Sequence, residues 1–96
     1  MNVPVPKIRA FEEPAGQFWR QARRLPPSMR QELATVIDEL LAGSLPPGRR
    51  YEKLRGGTDL YSVRLSRQYR FVFQIMGNGN AKPVAVGPHD EAYRSA

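Results

Sequence analysis

Arg64 and Arg70 are the residues whose placement suggests chemistry. Arg64 lies in Leu60-Tyr-Ser-Val-Arg-Leu65 and Arg70 in Tyr69-Arg-Phe-Val-Phe73, two stretches in which apolar and polar residues alternate. Side chains two apart share one face of a strand. Tyr61, Val63, Leu65, Tyr69, Phe71, Phe73 and Ile75 then form an apolar face. Arg64 and Arg70 point the other way, on neighbouring strands of one hairpin. Arginine's planar fork of donors suits two-point binding of phosphate. The run Arg49-Arg50-Tyr51-Glu52-Lys53-Leu54-Arg55 stands just upstream, and residues 49–70 hold seven bases against two acids, a local charge of +5. Tyr51 and Tyr69 interleave with these cations. Positive charge with aromatic rings is how a surface holds a nucleic-acid strand. His89 is the sole histidine and follows Gly87-Pro88 outside any apolar stripe. An unperturbed imidazole titrates near 6.5, so it can donate a proton near neutral pH.

Composition narrows the field. The chain has 15 Lys and Arg against 9 acids, for a net charge of +6. Twelve of the 15 bases are arginine, which favours a polyanionic partner. With no cysteine and one histidine, thiolate metal sites, disulfides and a cysteine nucleophile are excluded, and neither a metal nor a cofactor is expected. No apolar run approaches the roughly 20 residues of a membrane span. The start, MNVPVPKIRAF, has no apolar core of a signal peptide, so a cytoplasmic protein is expected. Ninety-six residues, 41% hydrophobic and 25% charged, suit one folded domain over 1–96.

The elements that must position these residues follow from periodicity. Residues 1–6, with two prolines, read as a loose arm, and Lys7–Phe11 as a short edge strand after Pro6. A first helix is expected over about Pro14–Arg24, with Ala15, Phe18, Trp19 and Ala22 as its apolar stripe. Pro26 and Pro27 break it. Ser28 starts a second helix, with Ser28-x-x-Gln31 in capping-box form. Met29, Leu33, Val36, Ile37, Leu40 and Leu41 fall on one helical face, and Gly43 suits the left-handed stop. Leu45-Pro-Pro-Gly48 is a loop. Ser66-Arg67-Gln68 turns the chain between two strands, Gly77-Asn-Gly-Asn80 closes a second hairpin, and Lys82–Val86 is the last strand. The sum is an α+β domain, β-α-α-β-β-β, with a helical hairpin on a three-stranded antiparallel meander.

The ordered set Tyr51-Glu-Lys-Leu-Arg-Gly-Gly57, Leu60-Tyr-Ser-Val-Arg-Leu65, Tyr69-Arg-Phe-Val-Phe73 and Val86-Gly-Pro-His-Asp-Glu-Ala-Tyr93 resembles the RelE/ParE superfamily, the toxin halves of type II toxin–antitoxin pairs. The resemblance runs from about residue 7 to 93 and includes the Leu-Pro-Pro break. It implies a microbial-ribonuclease-like RelE fold. In the RelE-like branch it implies a metal-independent endoribonuclease that cuts mRNA in the ribosomal A site by attack of the 2′-hydroxyl, and so inhibits translation. That reaction needs a base, cations for the phosphorane and an acid for the leaving oxygen.

By resemblance, Arg70 matches a phosphate-binding arginine and Arg64 is a second clamp. Glu52 stands where one subgroup has a glutamate base, while Lys53 and Arg55 match a Lys-x-Arg pair in which the lysine is base or phosphate ligand. The base is thus Glu52 or Lys53. His89 takes the acid position, with Asp90 holding it, and Tyr93 stacks on or orients a base of the codon. Arg49, Arg50, Tyr51, Lys53, Arg55 and Arg67 fall to RNA contact. Only three residues follow Tyr93, so no C-terminal helix is expected. The partner implied is an antitoxin, acidic or bringing an amphipathic helix, in a hetero-oligomer, with ribosome-bound mRNA as substrate. Two other readings remain: a ParE-like inhibitor of DNA gyrase without nuclease activity, and a basic RNA-binding module that is not toxic.

Overall fold

The alternating stretches pair as strands with the expected face inward. The computed structural model describes residues 3–4, 7–55 and 59–95. Its elements are β1 (Val3–Pro4), α1 (Gly16–Arg23), α2 (Pro27–Ala42), β2 (Ser44–Leu45), β3 (Glu52–Lys53), β4 (Leu60–Arg64), β5 (Tyr69–Ile75), β6 (Ala81–Pro88) and α3 (His89–Ser95). A single 3-10 turn, Pro47–Arg49, joins β2 to β3. Strands β3-β4-β5-β6 form an antiparallel sheet in sequence order, and β1 pairs with β2 separately.

One side of the sheet carries Val63, Leu65, Phe71 and Phe73, all buried against Phe18 and Ala22 of α1, Leu25, and Leu33, Val36 and Leu40 of α2. Phe71 and Phe73 are fully buried with ring centroids 5.4 Å apart. Truncating a buried ring of this kind to alanine costs about 3–5 kcal/mol. The helical hairpin therefore lies where the alternation places it, and the domain is α+β.

Proline and glycine act where their backbone limits allow. Pro83 sits inside β6 opposite Phe73, at a register shift that leaves Val84 as the extra residue. A bulge tolerates the missing N–H. Gly43 ends α2 with φ +81, and its N–H bonds back to the carbonyls of Glu39 and Leu40. The Gly77–Asn80 turn closes as expected, with Met76 N–H on the Asn80 carbonyl at 2.7 Å. Glu12 Oε2 accepts from Asn78 and Asn80, and these amide donors draw its carboxyl below the usual range.

Several expectations need correction. The sheet has four strands, because Glu52–Lys53 adds to β4 with Glu52 opposite Ser62. Within the supposed loose arm, Val3–Pro4 pairs with Ser44–Leu45; residues 1, 2, 5 and 6 lie outside the described residues. Lys7–Phe11 is not a strand. It meets β6 through a single parallel bridge, Phe11 to Ala81, and Ile8 is buried. Trp19 is 57% exposed, because Phe18 and Ala22 already fill the narrow strip that α1 turns inward. No side chain caps α2. Pro26 takes the cap position and Pro27, with its fixed φ, begins the helix, which puts Ser28 inside it.

The largest correction is at the end of the chain. His89–Ser95 is helical. Ala92 and Tyr93 pack with Val72, Ala85, Leu54 and Leu60 on the side of the sheet facing away from α1 and α2. That side is not the open face expected for it.

Candidate functional site

Strand register assembles the site under and beside α3. Glu52 opposes Ser62, Ser62 opposes Val72, and Arg64 opposes Arg70. Arg70 opposes Gly87 on β6. Ser62 and Arg64 are two residues apart, so both face α3, separated by about 7 Å along the strand. Glu52, Ser62, Arg64 and Arg70 thus occupy two adjacent rows of one sheet face. The hairpin alternation places both arginines there correctly.

The helix is latched to this face by a short polar chain. Tyr93 donates its hydroxyl hydrogen to Glu52 Oε1 at 2.9 Å. Its oxygen lies 3.0 Å from Ser62 Oγ, and Ser62 is fully buried. A buried hydroxyl needs such a partner, since leaving it unpaired costs about 1–3 kcal/mol. Ser62 was missed by sequence reasoning, although its position two residues before Arg64 already placed it on this face. Tyr93 is half-buried, and its ring centroid lies 4.3 Å from that of His89. One edge of the ring is therefore committed to packing. Oε2 of Glu52 has no partner among the described residues.

His89 begins α3, with its N–H on the Gln68 carbonyl at 2.7 Å. That bond ties the helix start to the turn before Arg70. The exposed imidazole lies with Nδ1 3.4 Å from Oδ1 of the neighbouring Asp90, itself exposed.

The two arginines lean on backbone rather than on acids. Arg64 Nε donates to the Ser66 carbonyl at 3.3 Å. Arg70 Nη1 donates to the same carbonyl at 3.1 Å and to that of Tyr69 at 3.3 Å. Neither has a carboxylate partner among the described residues. Two half-buried cations converge on one carbonyl, so their charge is available to an anion.

Two of the expected RNA contacts are used elsewhere. Arg49 donates to Glu39 and Glu32, both at 2.9 Å, and to the carbonyls of Arg64 and Leu65. Its side chain is 12% exposed. Burial works against its charge, but the two carboxylates outweigh burial and raise its pKa. Arg49 therefore clamps α2 to the end of β4 and does not face outward. Tyr51 stacks on Tyr61 at 5.3 Å, nearly parallel. Burial first, and Tyr61 second, push its hydroxyl up to about 12. Arg50, Lys53, Arg55 and Arg67 are exposed. Arg50 has φ +49, and Lys53 lies 3.9 Å from Asp59 and above the Tyr61 ring. Among the described residues no three His, Asp or Glu side chains gather as a metal set, and no helix is long and apolar enough to cross a membrane.

This architecture is the RelE toxin fold. It is similar to the toxin in the RelB–RelE antitoxin–toxin complex of Methanococcus jannaschii, at TM-score 0.68 and 20% identity over 88% of this chain and 95% of that one. A metal-bound toxin from Helicobacter pylori superposes at TM-score 0.73 with 21% identity, covering 88% and 98%. The toxin–antitoxin complex RelBE2 of Mycobacterium tuberculosis gives TM-score 0.53 with 23% identity, covering 93% and 98%. No family profile and no curated protein matches the sequence.

Proposed function

We propose that this chain is the toxin of a type II toxin–antitoxin pair, a metal-independent endoribonuclease that cuts mRNA in the ribosomal A site of the cytoplasm. The carrying observation is the cross-strand pair Arg64–Arg70, with no carboxylate partner among the described residues, on the same face as Glu52 and beside the start of α3 at His89. The fold shared with toxins found in antitoxin complexes supports the same reading, and with it a cognate antitoxin as partner.

The chemistry follows from the residues. Glu52 takes the proton of a ribose 2′-hydroxyl; Lys53, opposite Tyr61 and above its ring, falls on the other face of the sheet and does not serve as this base. The freed oxygen bonds to the neighbouring phosphorus. Arg64 and Arg70 hold the phosphorane's negative charge. The bond from phosphorus to the 5′-oxygen breaks, and that oxygen takes a proton from the His89 imidazolium. The products are a 2′,3′-cyclic phosphate and a 5′-hydroxyl. Tyr93 positions Glu52 through its hydroxyl and forms the wall beside His89.

The test is primer extension on a defined mRNA in a purified translation reaction, with wild type beside Arg70→Ala. Cuts within A-site codons that vanish in the variant are expected. Intact mRNA with wild type, together with inhibited supercoiling by gyrase, replaces this reading with the gyrase-inhibitor one.

A further inference from the structure

A second concavity opens at the far end of β6, between α1 and α3, with a volume of about 570 Å³. Arg20 and the Arg24 that follows it one turn later line one wall, and Arg94 of α3 lines another. Tyr69 and Val86 contribute to its lining, and Glu91 is the one acid there. None of the three guanidinium groups has a hydrogen bond or ion pair among the described residues. Uncompensated cations around a cleft focus a positive potential into it.

The cleft is held in shape from beneath. Gln17 of α1 donates to the Val84 carbonyl at 2.9 Å, and Gln21 accepts the Val86 N–H at 3.0 Å. These bonds dock α1 along the outer side of β6, which fixes the helix carrying Arg20. The cleft also adjoins the candidate site along the chain. Tyr69 precedes Arg70, and Gly87 and Pro88 lead directly into His89. A polyanion lying across Arg64 and Arg70 that rounds the end of the sheet meets this cleft next.

We propose that the cleft binds the phosphate backbone of the single-stranded RNA flanking the cut nucleotide, with Arg20 and Arg24 on one side and Arg94 on the other. This inference rests on the nuclease reading above. An RNA strand suits three arginines and an adjacent tyrosine ring, because phosphates take the forks and a base takes the ring.

Trp19, the sole tryptophan, is exposed on α1, the helix that carries Arg20, though it does not line the cleft, so binding is read from the anisotropy of a fluorescent label on the RNA. The experiment titrates wild type, Arg20→Ala/Arg24→Ala and Arg94→Ala with an uncleavable 2′-O-methyl RNA decamer over a range of KCl. Circular dichroism confirms that each variant is folded. In the double variant, binding is expected to weaken about tenfold at physiological salt, and the log–log salt slope to fall by about 1.4, two phosphate contacts' worth for a single strand. Arg94→Ala, on a separate element, is expected to lower the slope by about 0.7. Unchanged affinity and slope in both variants, while wild type still binds and cuts RNA, overturns the cleft and leaves the nuclease reading standing. A wild type that cuts mRNA on the ribosome but does not bind the decamer overturns the cleft alone, and one that does neither overturns both. Loss of binding to a glutamate decapeptide in the double variant, with RNA affinity unchanged, makes the cleft a protein dock and also overturns the proposal.

Discussion

Arg49 and Arg70 count equally toward the net charge, yet the fold treats them in opposite ways. Arg49 meets two carboxylates and two carbonyls and is nearly covered. Arg70 meets only carbonyls and keeps an uncompensated charge on the sheet face. The difference is local. Arg49 leaves a 3-10 turn directly below Glu32 and Glu39 of α2, whereas no carboxylate among the described residues comes within ion-pair distance of Arg70, although Glu52 and α3 bring acids to the same face. A cation neutralised at home is structural. One left with only neutral acceptors is ready for an external anion.

Substitutions break this contrast in a graded way. Arg49→Ala leaves two carboxylates facing each other beneath α2 and should cost about 3 kcal/mol of stability, lowering Tm by more than about 10 °C in thermal unfolding. Arg49→Lys should recover part of that loss, because one ammonium cannot serve both carboxylates as a fork does. Arg70→Ala should leave Tm near wild type while lowering the cleavage rate by about 10²-fold or more, read from single-turnover cleavage. A large fall in Tm for Arg70→Ala with unchanged cleavage inverts the assignment.

Tyr93→Phe removes the hydroxyl shared by Glu52 and Ser62. It should cost about 1 kcal/mol of stability in denaturant unfolding and raise amide exchange in α3. An effect confined to alkaline pH, and absent near neutrality, belongs to Tyr51. Its hydroxyl holds its proton more tightly in the folded state than in the unfolded chain, where tyrosine titrates near 10. The stability it contributes is complete below pH 10 and is lost as pH rises toward about 12. Absorbance at 295 nm should show one tyrosine ionising late, and Tyr51→Phe should flatten stability over that window.

Much of this arrangement was legible before the structure. Alternation places Arg64 and Arg70 on one face because a two-residue period admits no other answer once Phe71 and Phe73 are inside. The same logic carried the helical hairpin and the stop at Gly43. What escaped has physical reasons. β3 is two residues long and exists only by pairing with β4, so no period announces it. α3 is seven residues, too short for a hydrophobic repeat; Asp90 and Glu91 in its first turn and Arg94 in its last were its only signals, through the helix dipole. Counting charge saw Arg49 and Arg70 as equals, because Glu32 and Glu39 lie 17 and 10 residues away in sequence. Spacing alone puts Trp19 in the core, although α1 buries only Phe18 and Ala22 on its inner strip.

The two glutamines that dock α1 also govern how the molecule meets others. A sheet's outermost strand normally presents a row of free amides to any extended chain that passes. On β6 that row is taken: Phe11 and Glu12 lie along its start, the Ala15 N–H bonds to the Pro83 carbonyl, and the side chains of Gln17 and Gln21 take Val84 and Val86. The opposite border, Glu52–Lys53, is two charged residues long. Neither border offers a long row for stacking copies sheet to sheet, so association with other molecules falls to faces and side chains.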